Sequence, residues 1–305
     1  MSFFIKRLSI IGIGLIGGSL AMGLRERGLV GEVVGVARRQ STLKTALEMG
    51  VIDHGTASAR EGVEGASFVL VSTPVSAIAP AVRDFAGSLE KGAVVTDAGS
   101  VKGEIVRACE EAMPEGCYFV GGHPIAGREH SGVAAAFPSL YEGSRTILTP
   151  TEKTVSHALE RVRLVWEAVG SQIEEMDPDH HDSVLAATSH LPHLMAYNVV
   201  NTLSDLEGHL RQEVFRYAAS GFRDFTRIAS SDPTMWRDIC LENRTAIVDM
   251  LGRFRDDLDK LTQRVEQGDS DALFGIFARS KGTRDRILQD QMVAPHTPAD
   301  GDKDK

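Results

Sequence analysis

The sequence predicts an α/β fold: a doubly wound, mostly parallel sheet over residues 1–176, followed by an all-helical part over residues 177–292. Three observations carry this. Up to about residue 176, short β-branched runs alternate with longer stretches of helical periodicity, the pattern of parallel βαβ units. Beyond Asp177 the β-branched runs stop and long helical patterns take over. Between the first β run and the first helical stretch lies a glycine-rich turn of the spacing G-x-G-x-x-G.

Taken in order, the expected strands are residues 8–11, 33–36, 68–71, 93–96, 118–120 and 146–148, each a short apolar run bounded by glycine or polar residues. In the second half the clearest pattern is Ile247, Met250, Leu251, Phe254, Leu258, Leu261 and Val265, at three- and four-residue spacing. Several of these helices are more apolar than a small domain can bury alone, which points to a homodimer. Packing of the same faces on the first domain is the alternative. The tail "APHTPADGDKDK" is polar and aperiodic, so disorder is expected over residues 293–305.

Composition narrows the function classes. The chain has 305 residues, 42% hydrophobic and 25% charged, which fits two ordinary globular domains. A formal net charge of −9 argues against a nucleic-acid partner or an anionic membrane surface, both of which need a basic face. Any anionic ligand must then be caught by local arginines. The three cysteines, Cys109, Cys117 and Cys240, form no C-x-x-C and read as packing residues in a reducing, cytoplasmic setting. The apolar N-terminal run is broken by glycines, and no uninterrupted run approaches the roughly 20 residues that a spanning helix needs. No membrane association is expected.

The turn "GIGLIG" places Gly12, Gly14 and Gly17, with Leu15 and Ile16 between them, after a strand and at the start of a helix. That context makes it a Rossmann-type dinucleotide site. Gly12 allows the tight turn, Gly14 the close approach of a pyrophosphate, and Gly17 the packing of helix on strand, with the phosphates at the helix N-terminus. At the end of the second strand an acidic residue would hold the ribose 2′-OH of NAD. "VVGVARRQST" offers Arg38, Arg39, Ser41 and Thr42 instead, a set suited to the 2′-phosphate of NADP. Solvated surface arginines that leave NAD accepted are the other reading. Ser72, Thr73 and Pro74 follow the strand at 68–71, on the edge where ligands sit in such sheets.

Two further strand ends carry chemistry: "VVTDAGSVKG", with Asp97, Ser100 and Lys102, and "GGHPIAGREHSG", with His123. A neutral histidine beside a nicotinamide can take a hydroxyl proton while hydride leaves the same carbon, and a neighbouring serine can orient both partners. A turn histidine bonded to backbone is the plainer alternative for His123 taken alone.

Together with "HHDSVLAATSHLPHLMA" and "GFRDFTRIASSDPTMWRDICLEN", these stretches resemble the prephenate/arogenate (cyclohexadienyl) dehydrogenase family of tyrosine biosynthesis, in order from about residue 5 to about residue 290. The resemblance implies an NAD(P)-dependent oxidative decarboxylation of prephenate or L-arogenate, with no metal. It implies His123 in HPxAG as the catalytic histidine and Ser100 as its partner. It implies Arg227 as the carboxylate anchor, a role suited to the planar guanidinium fork, with Asp224 orienting it and Trp236 packing near the site. Ser189, His190 and His193 match positions lining the substrate pocket, while His180 and His181 read as polar residues at a helix start. Arg128 departs from the pattern, which has a small hydroxyl residue there, and is a candidate contact for the substrate side chain's carboxylate. No regulatory domain is expected after Ile287, so tyrosine feedback would act at the active site. The competing readings are a β-hydroxyacid dehydrogenase or imine reductase sharing the glycine turn, and a non-catalytic NADP(H) sensor.

Overall fold

The computed structural model describes residues 4–127 and 131–293. The strands are β1 (Ile5–Ile11), β2 (Val30–Val36), β3 (His54–Thr56), β4 (Phe68–Val71), β5 (Val94–Asp97), β6 (Tyr118–Ile125), β7 (Arg145–Thr149) and β8 (Gln172–Glu175). They form one eight-stranded sheet in the order β3-β2-β1-β4-β5-β6-β7-β8. From β3 across to β6 every pair is parallel; β7 runs antiparallel to β6, and β8 pairs with β7 in parallel. The order reverses between β1 and β4, which opens a crevice at their carboxyl ends.

The sheet is covered by α1 (Leu15–Glu26), α2 (Gln40–Glu48), α3 (Ala59–Val63), α4 (Val75–Phe85), α5 (Gly103–Ala112) and α6 (Ser156–Ala168). Because strands of a parallel sheet are buried on both faces, β4 is apolar without alternation, and β5, which ends in Thr96 and Asp97, is as fully buried. The core gathers Leu8, Ile10, Leu20, Leu24, Phe68, Leu70 and Trp166, none of them exposed. Trp166 meets the buried Tyr141 edge-on at 5.1 Å between ring centroids.

The chain continues as α7 (Pro178–Leu185), a π-helical turn over Ala186–His190, α8 (Leu191–Ser204), α9 (Gly208–Arg216), α10 (Ser220–Thr226), α11 (Pro233–Glu242), α12 (Arg244–Glu266) and α13 (Ser270–Val293). It divides into two compact units along the chain, with the boundary between Ile247 and Val248. The helices from α7 to α11 belong to the first unit, and α11 is tied to α4 by the hydrogen bond from Ser76 Oγ to Asp238 Oδ2 at 2.7 Å. Among the described residues no helix is long and apolar enough to cross a membrane.

Two features differ from the sequence expectation. The edge strands β3 and β8 are short and polar, "HGT" and "QIEE", and carry no β-branched run to mark them. Strand β6 does not stop at Val120 but runs to Ile125, so His123 lies in a strand opposite Ile147 of β7. The glycines there serve close packing: a Cβ on Gly121 would collide with Thr149 Oγ1 and lie 2.6 Å from Val106 Cγ2, and one on Gly122 would lie 2.9 Å from the Asp97 carbonyl. Helix α13 ends at Val293, where the expected tail begins, and the remainder of that tail lies outside the described residues.

Candidate active site

The loops after β1, β2 and β4 open on one edge of the sheet. Gly12 has φ 92°, a region that L side chains rarely adopt, and a Cβ there would lie 2.9 Å from the Ser72 carbonyl oxygen. Around Gly14, the residue preceding α1, a Cβ would meet only the Gly12 carbonyl oxygen at 4.0 Å, so the space before the helix is open. A Cβ on Gly17 would collide with Ile10, which explains how closely α1 lies on β1. Leu15 is buried, and the backbone carbonyl of Ile16 accepts a hydrogen bond from Tyr141 Oη at 2.6 Å, so these two residues hold the turn from behind.

The start of α1 has no side-chain cap and no acidic residue in its first turn, which leaves N–H donors and the positive end of the helix dipole facing the crevice. Ser72 Oγ donates to the Gly12 carbonyl at 2.9 Å, Thr73 Oγ1 is buried with no hydrogen-bond partner among the described residues, and Pro74 precedes α4. Arg38 and Arg39 are exposed just beyond β2, with Ser41 and Thr42 in the first turn of α2. An open glycine turn, an uncapped helix start and an unsatisfied hydroxyl fit a dinucleotide pyrophosphate.

Two strands away, the turn after β5 and the end of β6 are locked together. Asp97 and Lys102 are fully buried and form an ion pair. Lys102 Nζ also donates to the Gly122 carbonyl at 2.9 Å, while Asp97 accepts from the backbone N–H of Gly99 at 2.8 Å and of Gly122 at 3.1 Å. Removing one partner of such a pair leaves an uncompensated buried charge, which costs about 3–5 kcal/mol. The pair thus fixes the backbone beside His123. Ser100 lies half-buried in the turn after β5. No hydrogen bond joins it to His123, whose Nδ1 lies instead 2.9 Å from His181 Nε2.

His181 is the main departure from expectation. It is not a polar residue at a helix surface but fully buried, with its Nδ1 2.9 Å from Asp182 Oδ1. Asp182 in turn accepts from the backbone N–H of Lys102 and of Gly103, each at 2.8 Å, at the start of α5. His180, its neighbour, is exposed, as expected of a helix-start residue. Nothing in the sequence distinguishes the two histidines; the only available cue is that position 181 falls on the buried stripe with Pro178, Asp182 and Leu185. Asn243, also unforeseen, is buried and donates to the Asp182 carbonyl at 2.8 Å, with its Nδ2 3.1 Å from His190 Nδ1.

His190 and His193 both face Trp236. The His193 ring stacks on the indole at 4.0 Å between centroids, and the His190 ring meets it edge-on at 6.0 Å. His193 Nδ1 also lies 2.9 Å from the carbonyl of Ser189, which is half-buried in the π-helical turn. His190 Nε2 and Trp236 Nε1 are buried without hydrogen-bond partners among the described residues. Arg227 begins a 3₁₀ turn after α10, and its charge adds to burial, the larger cause, in lowering the His193 pKa. Asp224 is exposed on α10, three residues earlier. Arg128 lies outside the described residues.

The imidazoles share one electrostatic setting. Burial, with the neighbouring His181, Lys102 and His190, holds the His123 pKa well below the ordinary 6.5. Burial also lowers His181, against the pull of Asp182, and brings His190 down to about 4. The site therefore presents uncharged imidazole at neutral pH, a base rather than an acid.

Comparison with known proteins agrees with this arrangement. Two family models match in succession: "Prephenate dehydrogenase, nucleotide-binding domain" over residues 20–175 and "Prephenate dehydrogenase, dimerization domain" over residues 177–279. The chain is 39% identical to a prephenate dehydrogenase of Bacillus subtilis over 91% of its own length and 75% of that protein's. It is 34% identical to a cyclohexadienyl dehydrogenase of Zymomonas mobilis, over 95% of this chain and 99% of the relative. Among solved structures, prephenate dehydrogenase from A. aeolicus in complex with hydroxyphenyl propionate and NAD+ superposes with a TM-score of 0.87 at 38% identity, covering 94% of this chain and all of that one. With a glycine turn built for a dinucleotide, a neutral histidine on β6 three strands across the sheet, and relatives of this identity along nearly its whole length, the chain belongs to the prephenate dehydrogenase family.

Proposed function

We propose that this protein catalyses the NAD(P)-dependent oxidative decarboxylation of prephenate, L-arogenate or both, in tyrosine biosynthesis. The observation that carries the reading is His123, kept neutral by burial and held on β6, on the same sheet edge as the glycine turn. The bound nicotinamide supplies the hydride acceptor. His123 takes the proton of the ring hydroxyl as hydride leaves the same carbon, and Ser100 orients the hydroxyl. The bond to the ring carboxylate breaks, carbon dioxide leaves, and its electron pair makes the ring aromatic. The proton held on His123 returns to the phenolate oxygen, which completes the balance.

Arg227, oriented by Asp224, binds carboxylate through its donor fork. Ser189, His190 and His193 line the pocket, Trp236 closes it, and His190 Nε2, without a partner among the described residues, serves a ligand oxygen. Arg128 serves the substrate side chain's carboxylate. NADP is the favoured cofactor, because Arg38 and Arg39 stand exposed at the end of β2 with Ser41 and Thr42 and no acid among them; NAD+ is bound by the A. aeolicus relative and is a second cofactor. Gly12, Gly14, Leu15, Ile16 and Gly17 would hold the pyrophosphate, and Ser72, Thr73 and Pro74 would border the dinucleotide at the end of β4. Residues 1–176 form the cofactor part and 177–292 the substrate and dimerisation part of a cytoplasmic homodimer. Any feedback by tyrosine would act at this same site.

The test is an initial-rate assay crossing prephenate and L-arogenate with NADP+ and NAD+. Turnover in at least one combination is expected, with His123→Asn losing kcat at nearly unchanged KM and Arg227→Ala mainly raising KM. Silence in all four combinations from folded, cofactor-binding protein would refute the reading.

A further inference from the structure

We infer that His181 and Asp182 are positioning residues that set the tautomer of His123, so that its Nε2 carries the lone pair presented to the substrate. The inference rests on the reading of His123 as the proton acceptor, but its geometry stands on its own. Both oxygens of Asp182 are engaged by donors that cannot reverse: Oδ1 accepts the Lys102 N–H and Oδ2 the Gly103 N–H, each at 2.8 Å. These amides belong to the residue that precedes α5 and to its first residue, at the helix N-terminus, where a negative charge is favoured by the helix dipole. The carboxylate therefore meets His181 as an acceptor.

The consequence propagates one ring at a time. A neutral imidazole has a single N–H. For His181 that N–H is on Nδ1, 2.9 Å from Asp182 Oδ1, which leaves Nε2 bare. Across the 2.9 Å contact between the rings, His123 Nδ1 must then donate. Its own Nε2 is bare as a result, and makes no hydrogen bond to the described residues. When His123 takes the proton, the resulting imidazolium donates through Nδ1 to a neutral ring backed by a carboxylate, so the charge is stabilised where it forms.

The other charged and titratable groups facing the pair are Lys102 and Asp97, beside β6, and His190, from the π-helical turn. None of them bonds a ring nitrogen of His123 or His181, so none competes for the tautomer. Asn243 fixes the backbone carbonyl of Asp182 rather than its side chain. The relay is thus assembled from three elements, β6, α7 and the start of α5.

The decisive measurement needs no turnover: nitrogen-15 spectra of histidine-labelled protein, with His123 and His181 assigned by substitution. Protonated Nδ1 and bare Nε2 are expected on both rings in the unsubstituted protein. In Asp182→Asn the amide N–H must oppose one of the two backbone donors, at Lys102 or at Gly103, so the carboxylate that enforces protonated Nδ1 on both rings is lost, the two tautomers mix, and kcat falls with KM little changed. A carboxylate-to-amide change that imposes the wrong tautomer outright on a catalytic histidine costs about 10⁴-fold in kcat, which bounds the loss here; about tenfold or more is expected. His181→Gln, which keeps an acceptor toward His123 and a donor toward Asp182, should retain at least tenfold more turnover than His181→Leu.

A spectrum showing Nε2 of His123 protonated in the unsubstituted protein would overturn the inference, as would an unchanged kcat in Asp182→Asn. Equal losses in the glutamine and leucine variants, both folded and binding NADP+, would reduce His181 to a packing residue and overturn it too. Should Asp182→Asn not fold, the unsubstituted spectrum and the two His181 variants still decide. If the protein turned over neither substrate, the proposed reaction would fall while the tautomer assignment could still be read from the spectrum.

Discussion

His123, His181, His190 and His193 crowd one site, and burial is the largest cause of the lowered pKa in each. For catalysis the sign is favourable. The base form of His123 is the neutral one, so a pKa below 6.5 keeps it competent at and below that pH, and the kcat/KM plateau should extend to the acid side of pH 6.5. An acid limb centred above pH 6.5 would contradict the burial argument. For stability the same shift works in the opposite direction. Unfolded histidines take up protons as pH falls through about 6.5, while the buried ones resist until lower pH, so the unfolded state binds more protons and the folded state loses ground. His190 alone, at about 4, should withdraw on the order of 3 kcal/mol between pH 6.5 and 4. Urea unfolding at pH 7 and pH 5 measures this; a His190→Gln variant should show a shallower loss, and an unchanged slope would sink the account. The sequence could nominate His123, His190 and His193 because they stand in motifs. It could not nominate His181, whose meaning comes from a contact with a residue 58 positions away.

At the level of elements, what carried a repeating apolar pattern was legible and what did not was missed. Strands β1, β2 and β4 to β7 are buried and β-branched, so their existence could be read, although their ends could not. The β6 extension through "GGHPI" was hidden because its glycines are selected by the side chains above them, Thr149 and Val106, rather than by strand propensity. The π-helical turn before α8 was equally silent, yet it contains Ser189 and His190 and separates the helix of His181 from that of His193. Turns of this type often mark functional sites. The start of α7 is legible and testable. Asp177 caps it by accepting from the N–H of Asp179 at 2.9 Å and of His180 at 3.0 Å, with Pro178 in the first turn. Asp177→Ala should cost about 1 kcal/mol, read as a lowered unfolding midpoint. Because α7 carries His181, kcat should fall with it. A variant with unchanged stability would show that the cap is redundant with the buried contacts of α7.

For the whole molecule, the second compact unit carries several large apolar side chains that stand exposed. Phe254, Leu258 and Val265 on α12 are 38%, 49% and 61% exposed, and Phe274 and Phe277 on α13 are 75% and 58% exposed. The two phenylalanines are three residues apart and share one helix face. Each would gain about 1.5–3 kcal/mol on full burial, enough together to shift an association equilibrium by orders of magnitude. The matched dimerization model spans residues 177–279 and so includes both. A charge placed on that face must either be desolvated or keep the partner away. Phe274→Glu with Phe277→Glu should therefore convert a dimer into a 33.0 kDa protomer in sedimentation equilibrium. Every residue assigned above to cofactor or chemistry precedes Val248, so the double variant should still bind NADP+. Retention of the dimer would place the interface elsewhere on the helices, and an unsubstituted protein sedimenting as a protomer would leave these faces without the partner that their composition demands.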